Sequence, residues 1–462
     1  MDKNEAVIQS GSGAAVAVTE EPTTLQTGPF PTVEGHPPNA QRWKTAAALL
    51  AAGGLLTACG GLGAPTYRGP FGEREAAHLL RRATALGNSA DARELAALGL
   101  ERAVDKLLAE PNLPEEHDRS YFEDNDIDYV DDWASHWLST PTPAAERLTL
   151  FWHGHFTTEA VKVGEWMSYA KINKLRELSL GTFHDLLYMI AEDPAMLIYL
   201  DNRYSTKEHP NENWARELME LYTLGEGNYT EDDIVKGVAP AFTGWSVGWD
   251  DGVYYFRFSA EDHAFGEKKV LGQTINNHFS PISEGYEVLD IILSKKQTYI
   301  FIATKLLRYY FHPQPSQQMI NAGADVLQGG TVRDFLKWLF THPDFYSDQV
   351  RNSLVKSPFE YAIGLFYAAG KRAVHESEPL HSWLRGRLDQ DPYNPPNVAG
   401  WPIATTEWLT DSSLLQRLKF IDLATRYPDG TGPTGTVDYS VFMDGSADTN
   451  ALSLAAPEAQ LL

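Results

Sequence analysis

The chain has 462 residues, 62 acidic against 38 basic, a formal charge of -24, and an ordinary globular composition of 43% hydrophobic and 11% aromatic residues. That length supports a large core and two or three domains. The charge excludes nucleic acid as a partner, because binding it depends on neutralising phosphates with Lys and Arg, and the single cysteine excludes intrachain disulfides, leaving packing or metal to hold the fold.

The chain opens on a polar, Pro-containing segment, Met1 to Gln41. Arg42-Trp43-Lys44, the apolar Thr45 to Leu56 and the small residues Thr57-Ala58 then supply, in order, the basic, apolar and cleavage parts of a secretory signal. The apolar stretch is too short for a membrane-spanning helix, which needs roughly 20 apolar residues. Leu55-Leu56-Thr57-Ala58-Cys59 resembles the lipobox of a bacterial lipoprotein, in which the cysteine is diacylated and the chain is cut before it. Two acyl chains give stable anchoring where one is marginal. Residues 1–58 are therefore expected to be a leader with a lipoprotein signal peptide and Cys59 the lipidation site. The mature protein is expected in the bacterial cell envelope, held to a membrane by lipid on its periplasmic or cell-surface side.

Residues 59–70 read as a Gly/Pro tether, and helical periodicity begins at Glu73. Ala76, Leu79, Leu80 and Ala83 share one helix face, and Asp91 to Leu108 reads as a second helix. Further helices are expected over Ala144 to Trp152, Tyr169 to Leu178, Asp185 to Tyr199, Asn213 to Leu224, Glu231 to Phe242, Ser294 to Phe311, Ser316 to Leu327, Val332 to Leu339, Pro358 to Ala369 and Ser413 to Ala424. Between Val253 and Gln273 the period changes to that of strands, at Val253 to Phe258 and Lys269 to Gly272. The expected fold is mainly α, a multi-helix body over residues 71–427 that admits two subdomains, with a small β insertion around 253–273. Residues 428–462, rich in Gly, Pro, Thr and Asp, read as a flexible tail.

Several segments stand out, in this order along the chain: Leu79-Leu80-Arg81-Arg82-Ala83-Thr84, Glu146-Arg147-Leu148, Trp152-His153-Gly154-His155-Phe156, Asp193-Pro194-Ala195-Met196-Leu197 and the long run Pro210-Asn211-Glu212-Asn213-Trp214-Ala215-Arg216-Glu217-Leu218. Thr243-Gly244-Trp245, Lys305-Leu306, Lys356-Ser357-Pro358 and Asn397-Val398-Ala399-Gly400-Trp401-Pro402 follow. In these the chain resembles the bacterial domain-of-unknown-function family 1800, over roughly Phe71 to Ile421. The resemblance implies an exported, largely helical protein of unestablished activity, and a co-exported sulfatase-like protein as partner. The chain departs from the family pattern at Ala83-Thr84-Ala85-Leu86-Gly87, which is one residue longer, and at Asp262-His263-Ala264.

His153-Gly154-His155 is the first chemical candidate. Residues two apart on a continuous helix point about 200° apart, but a glycine at the helix C-terminus turns the chain, which lets the two imidazoles converge on a divalent transition metal; the plainer reading has one histidine capping the last carbonyls and the other packed against Trp152 and Phe156. The second candidate is the polar face of the helix from Glu212, opposite Trp214, Ala215, Leu218, Met219 and Tyr222. There Glu217 is expected to serve as the third metal ligand, Glu217 or Glu220 as a general base, and Arg216 to orient carboxylates or a substrate anion. The plainer reading of the same stripe is a solvated ion-pair ladder. His78 reads as a surface or core histidine. Gly244-Trp245-Ser246-Val247-Gly248 matches the nucleophile-elbow pattern without its strand-turn-helix context, and Asp124 to Asp128 reads as an acidic loop.

Three functions fit these features. The first is a metal-dependent enzyme acting on an envelope or extracellular polymer, the second a non-catalytic scaffold or partner-binding protein whose polar residues fix helix packing. The third is a glycan-binding module that uses some of the twelve tryptophans. A metal centre requires His153, His155 and Glu217 to face one point; a glycan site requires tryptophans lining an open groove.

Overall fold

The computed structural model describes residues 70–425, apart from 116, 118, 251–252, 278, 352, 375–379 and 404–405. The expected leader, Cys59, the tether up to residue 69 and the tail from 428 lie outside the described residues. The fold is mainly α, with two two-stranded sheets as its only strands among the described residues. No helix there is long and apolar enough to cross a membrane.

The periodicity located most helices, and the differences have local causes. Asp91 to Leu108 is two helices, Ser89–Leu98 and Leu100–Leu107, because Gly99 takes φ +77° and ends the first. Asp185 to Tyr199 likewise divides at Asp193, which caps Pro194–Tyr199 with its carboxylate while Pro194 fills the first helical position. Pro240 interrupts the stretch after Glu231, which becomes a wide-pitched turn, Asp233–Val238, and a short helix, Ala239–Ala241. Trp245–Asp250, not anticipated as a strand, is β1, and it pairs antiparallel with β2, Val253–Phe258. β3, Lys268–Val270, pairs with β4, Gln273–Ile275.

The buried residues form two hydrophobic clusters. The larger takes in Leu79, Trp152, Phe156, Trp214, Tyr222, Trp245 and Leu306. The smaller takes in Trp133, Trp137, Leu150, Phe359, Tyr393 and Phe420. Helix Pro143–His155 is shared: Leu148, Phe151 and Trp152 face the first cluster and Leu150 the second. A helix buried on both faces has no solvated side, so its polar residues must find partners inside.

Those partners are ion pairs across distant segments. Glu146, with no exposed surface, accepts from Arg176 Nε at 2.7 Å and Nη2 at 3.0 Å and from Trp133 Nε1 at 2.9 Å. Burial opposes ionisation of this carboxyl, but Arg176 and His136 outweigh it and hold its pKa at about 2. Arg147 donates to Glu360 Oε1 at 2.6 Å and to the carbonyl of Arg82, and Tyr309 completes the group at 2.9 Å from the same oxygen. Arg82 in turn donates to the carbonyls of Val350 and Arg351. Three of the segments that carry the family resemblance, around Arg82, Arg147 and Lys356-Ser357-Pro358, thus meet in one buried network.

Candidate functional site

The helix expected to end before His153 runs on to His155, and Gly154 lies inside it. The expected turn is absent, and the geometry of a continuous helix applies instead. His153 enters the smaller cluster, beside Trp133 and Tyr393, and donates through Nε2 to the Pro392 carbonyl at 2.7 Å. His155 enters the larger cluster and donates through Nε2 to the Tyr222 carbonyl at 3.1 Å, leaving Nδ1 to accept from the Lys305 amine at 2.8 Å. Burial holds both imidazoles neutral, that of His153 at about 3. Burial also lowers Lys305 to about 7.

Glu217 is half-buried on the helix Glu212–Glu220, and its pKa is raised by burial and by Glu220. Arg216 forms a two-pronged pair with Glu231, at 3.0 and 2.6 Å, and Glu220 accepts from the Tyr229 hydroxyl. Among the described residues His153, His155 and Glu217 are not a group close enough to hold one ion, and of the stripe Arg216 is paired with Glu231 and Glu220 with Tyr229. Gly400, at φ +83°, brings its segment so close that a Cβ there would lie 2.1 Å from the Gly154 carbonyl. Of the other candidates, His78 is fully buried and bonds the Phe345 carbonyl, and His263 lies between Thr243 and Glu284. Ser246 sits on β1 and donates to the Arg203 carbonyl, which removes the nucleophile-elbow context.

The open site lies elsewhere. A cleft of about 730 Å³ is bounded by the helix Arg119–Asn125, the acidic turn after it, the start of the helix Glu165–Leu178, the tip of the β1–β2 ribbon and His381. Its volume falls within the range of about 300–1,000 Å³ usual for small-ligand sites. The ribbon explains the aromatic wall. Trp245, Val247 and Trp249 alternate on one face of β1, opposite Phe258, Phe256 and Tyr254. At the base this face is core, with Trp245 packed on Phe256, but the ribbon overruns the core and its last pair stands over the cleft. Trp249 is 63% exposed and Tyr254 42% exposed. Trp166 lines the cleft across from them.

The floor is acidic. Asp128 caps the helix Tyr129–Ser139 by accepting from Val130 N, and its other oxygen accepts from Arg385 at 2.8 Å. Asp131 holds His381 at both the backbone N–H, 2.8 Å, and ring Nδ1, 2.7 Å. Glu123, Asp126, Asp128 and Glu165 line the cleft against Arg119 alone among Lys and Arg. Burial and the neighbouring Asp128 raise the Glu165 carboxyl above its ordinary range.

Asp128, Asp131 and His381 are the one group among the described residues whose ligand atoms lie close enough together, within 4.8 Å, to hold an ion. Their oxygens already serve a guanidinium and an imidazole that tie the helix Leu380–Gly386 to Tyr129–Ser139, so an ion would compete there with Arg385 and with the His381 bond. The sequence offers Asp124 to Asp128 as an acidic loop and Trp249 as one of several tryptophans suited to stacking on sugar, but not their meeting, because the partners of the acidic turn lie on segments some 120 and 250 residues further along the chain.

The site thus stands in a mainly α body with a buried ion network and an aromatic ribbon over an acidic cleft. The chain belongs to the DUF1800 family, proteins of unknown function, whose model matches residues 78–459. No curated protein and no solved structure matches it.

Proposed function

We propose that this is an exported protein, lipid-anchored at Cys59 in the bacterial envelope, that binds uncharged or amino-bearing glycan in the aromatic cleft. The observation that carries the reading is the pair Trp249 and Tyr254, set side by side by the β1–β2 register and left exposed over a cavity of ligand size. Sugar rings present C–H faces that pack on indole and phenol rings, and their hydroxyls donate to carboxylates such as Glu123, Asp126 and Glu165. The acidic lining and the charge of -24 disfavour anionic glycans.

The scaffold reading is supported by a different observation, the bonding of His153 and His155 to backbone carbonyls inside the two cores. The two readings are compatible, since one concerns the interior and the other the cleft. A co-exported sulfatase-like partner rests on the family resemblance alone, since a sulfated polymer is anionic and the cleft disfavours anions. The metal-dependent reading has no support from His153, His155 and Glu217.

Calorimetric titration of the full chain with soluble neutral glycans tests the cleft. Trp249→Ala with Tyr254→Ala should weaken binding about tenfold or more, as loss of central aromatic anchors does, with the melting temperature unchanged. Binding that survives the double variant overturns the reading, as does no binding by the wild type. Labelled fatty acid incorporated by the wild type and not by Cys59→Ser supports the anchor, and equal incorporation overturns it.

A further inference from the structure

A second cavity, of about 460 Å³, lies beside the first, and Trp166 lines both. Its inner wall is Trp166, Tyr169, Ala170, Asn173 and Glu177, residues at spacings of three and four that form one face of the helix Glu165–Leu178. From Trp166 to Glu177 that face runs about 16 Å at 1.5 Å per residue. Leu113, Pro114 and His117 form the facing wall, and the chain continues from them into Arg119 and Phe122 of the first cleft. The two cavities thus lie in line between the same two segments, with the Trp166 indole at their junction.

We infer that the two cavities are consecutive subsites of one groove that holds a linear polysaccharide, with Trp166 stacking on the sugar ring at the junction. The inference rests on the glycan reading of the first cleft and extends it to a substrate class, an extended chain instead of a single sugar or a chain end. The charges favour this occupant over a basic peptide. Carboxylates outnumber cations in the first cavity, but Glu123 already pairs with Arg119, and Asp128 and Glu165 with Arg385, while in the second Lys174 pairs with Asp193 at 3.3 Å beside Glu177. A polycation thus meets carboxylates that largely serve the protein's own cations, whereas a sugar chain meets an aromatic ring at the ribbon tip and another at the junction, and the Asn173 amide beyond it. Trp166 is itself braced, stacked on Tyr169 at 5.5 Å between ring centres, so its orientation does not depend on the ligand.

The test is a length series. The full chain is titrated with β-1,4-linked glucose oligomers and with N-acetylglucosamine oligomers, from the monosaccharide to the hexasaccharide, and with oligolysine. Affinity should climb about tenfold or more from the shortest binding oligomer to the longest and then level off. Trp166→Ala should flatten that dependence on length, while Trp249→Ala weakens every length alike. Asn173→Ala, at the far subsite, should weaken the long oligomers and leave the short ones unchanged. Sugars that bind with no dependence on length overturn the groove and leave the single-cleft reading standing. No sugar binding at any length overturns both, and salt-sensitive binding of oligolysine without sugar binding assigns the groove to a basic peptide and overturns the inference. Circular dichroism of each variant shows that a lost affinity is not a lost fold.

Discussion

The interior around Pro143–His155 and the cleft under the β1–β2 ribbon are opposites. The interior gathers several of the family segments, and its ions are paired, Glu146 with Arg176 and Arg147 with Glu360, while the neutral His155 ring accepts from Lys305. The cleft is lined by residues outside those segments, and its aromatic rings face solvent. A charged motif in such a protein marks the cost of burying charge at least as readily as chemistry, because a buried ion must have its partner. A ligand, by contrast, is met where polar and aromatic surface has been left open.

The contrast breaks if interior substitutions spare the fold or cleft substitutions damage it. Arg176→Met should have the largest effect, since it leaves the Glu146 carboxylate buried without its guanidinium, with only the Trp133 indole and His136 beside it, and about 3–5 kcal/mol should be lost in urea unfolding. Restoring most of that with Glu146→Leu added would show that the pair matters as a pair. Gly400→Ala comes next, at about 2–3 kcal/mol, because the added methyl meets the Gly154 carbonyl and the residue sits at positive φ.

The third prediction concerns acid. His153 is neutral in the fold, its pKa near 3 against 6.5 in the unfolded chain. Its contribution is complete above pH 6.5 and fades as pH falls towards 3, because the unfolded state binds the proton first. Between pH 7 and 5 the loss from this group is about 2 kcal/mol, and His153→Asn should remove that part of the slope in unfolding experiments at the two pH values. The smallest effect sharpens the other side: Trp249→Ala should change stability by less than about 0.5 kcal/mol, as exposed positions do. A large loss there would make the ribbon tip part of the core.

The helical body was legible because amphipathic faces repeat every three to four residues. The buried face of Glu212–Glu220, for example, is Trp214, Ala215, Leu218 and Met219, as the sequence pattern requires. β1 was missed because Trp245 to Asp250 is short and carries Gly248, and what makes it a strand is the partner β2 and the Tyr255 ring lying over that glycine. The histidines are misgrouped for a local reason: Gly154 has the look of a helix end but lies inside the helix, where a Cβ on it would meet nothing within 4 Å, so the residue type carries no turn here. The cleft was illegible for a non-local reason. Asp128, Trp166, Trp249 and His381 become neighbours only through tertiary packing, and no spacing along the chain announces it.

The bonds that complete the helix Pro143–His155 come from far along the chain: Glu360, 213 positions from Arg147, and Pro392, 239 positions from His153. During synthesis this helix therefore has no finished surroundings until almost the whole domain has emerged. Early segments must wait with their charges unmatched and apolar faces uncovered, so the N-terminal half is an incomplete object by itself and a natural client for a chaperone. A nonsense mutation shortly before Pro392 would leave not a smaller working protein but a chain unable to close its own middle.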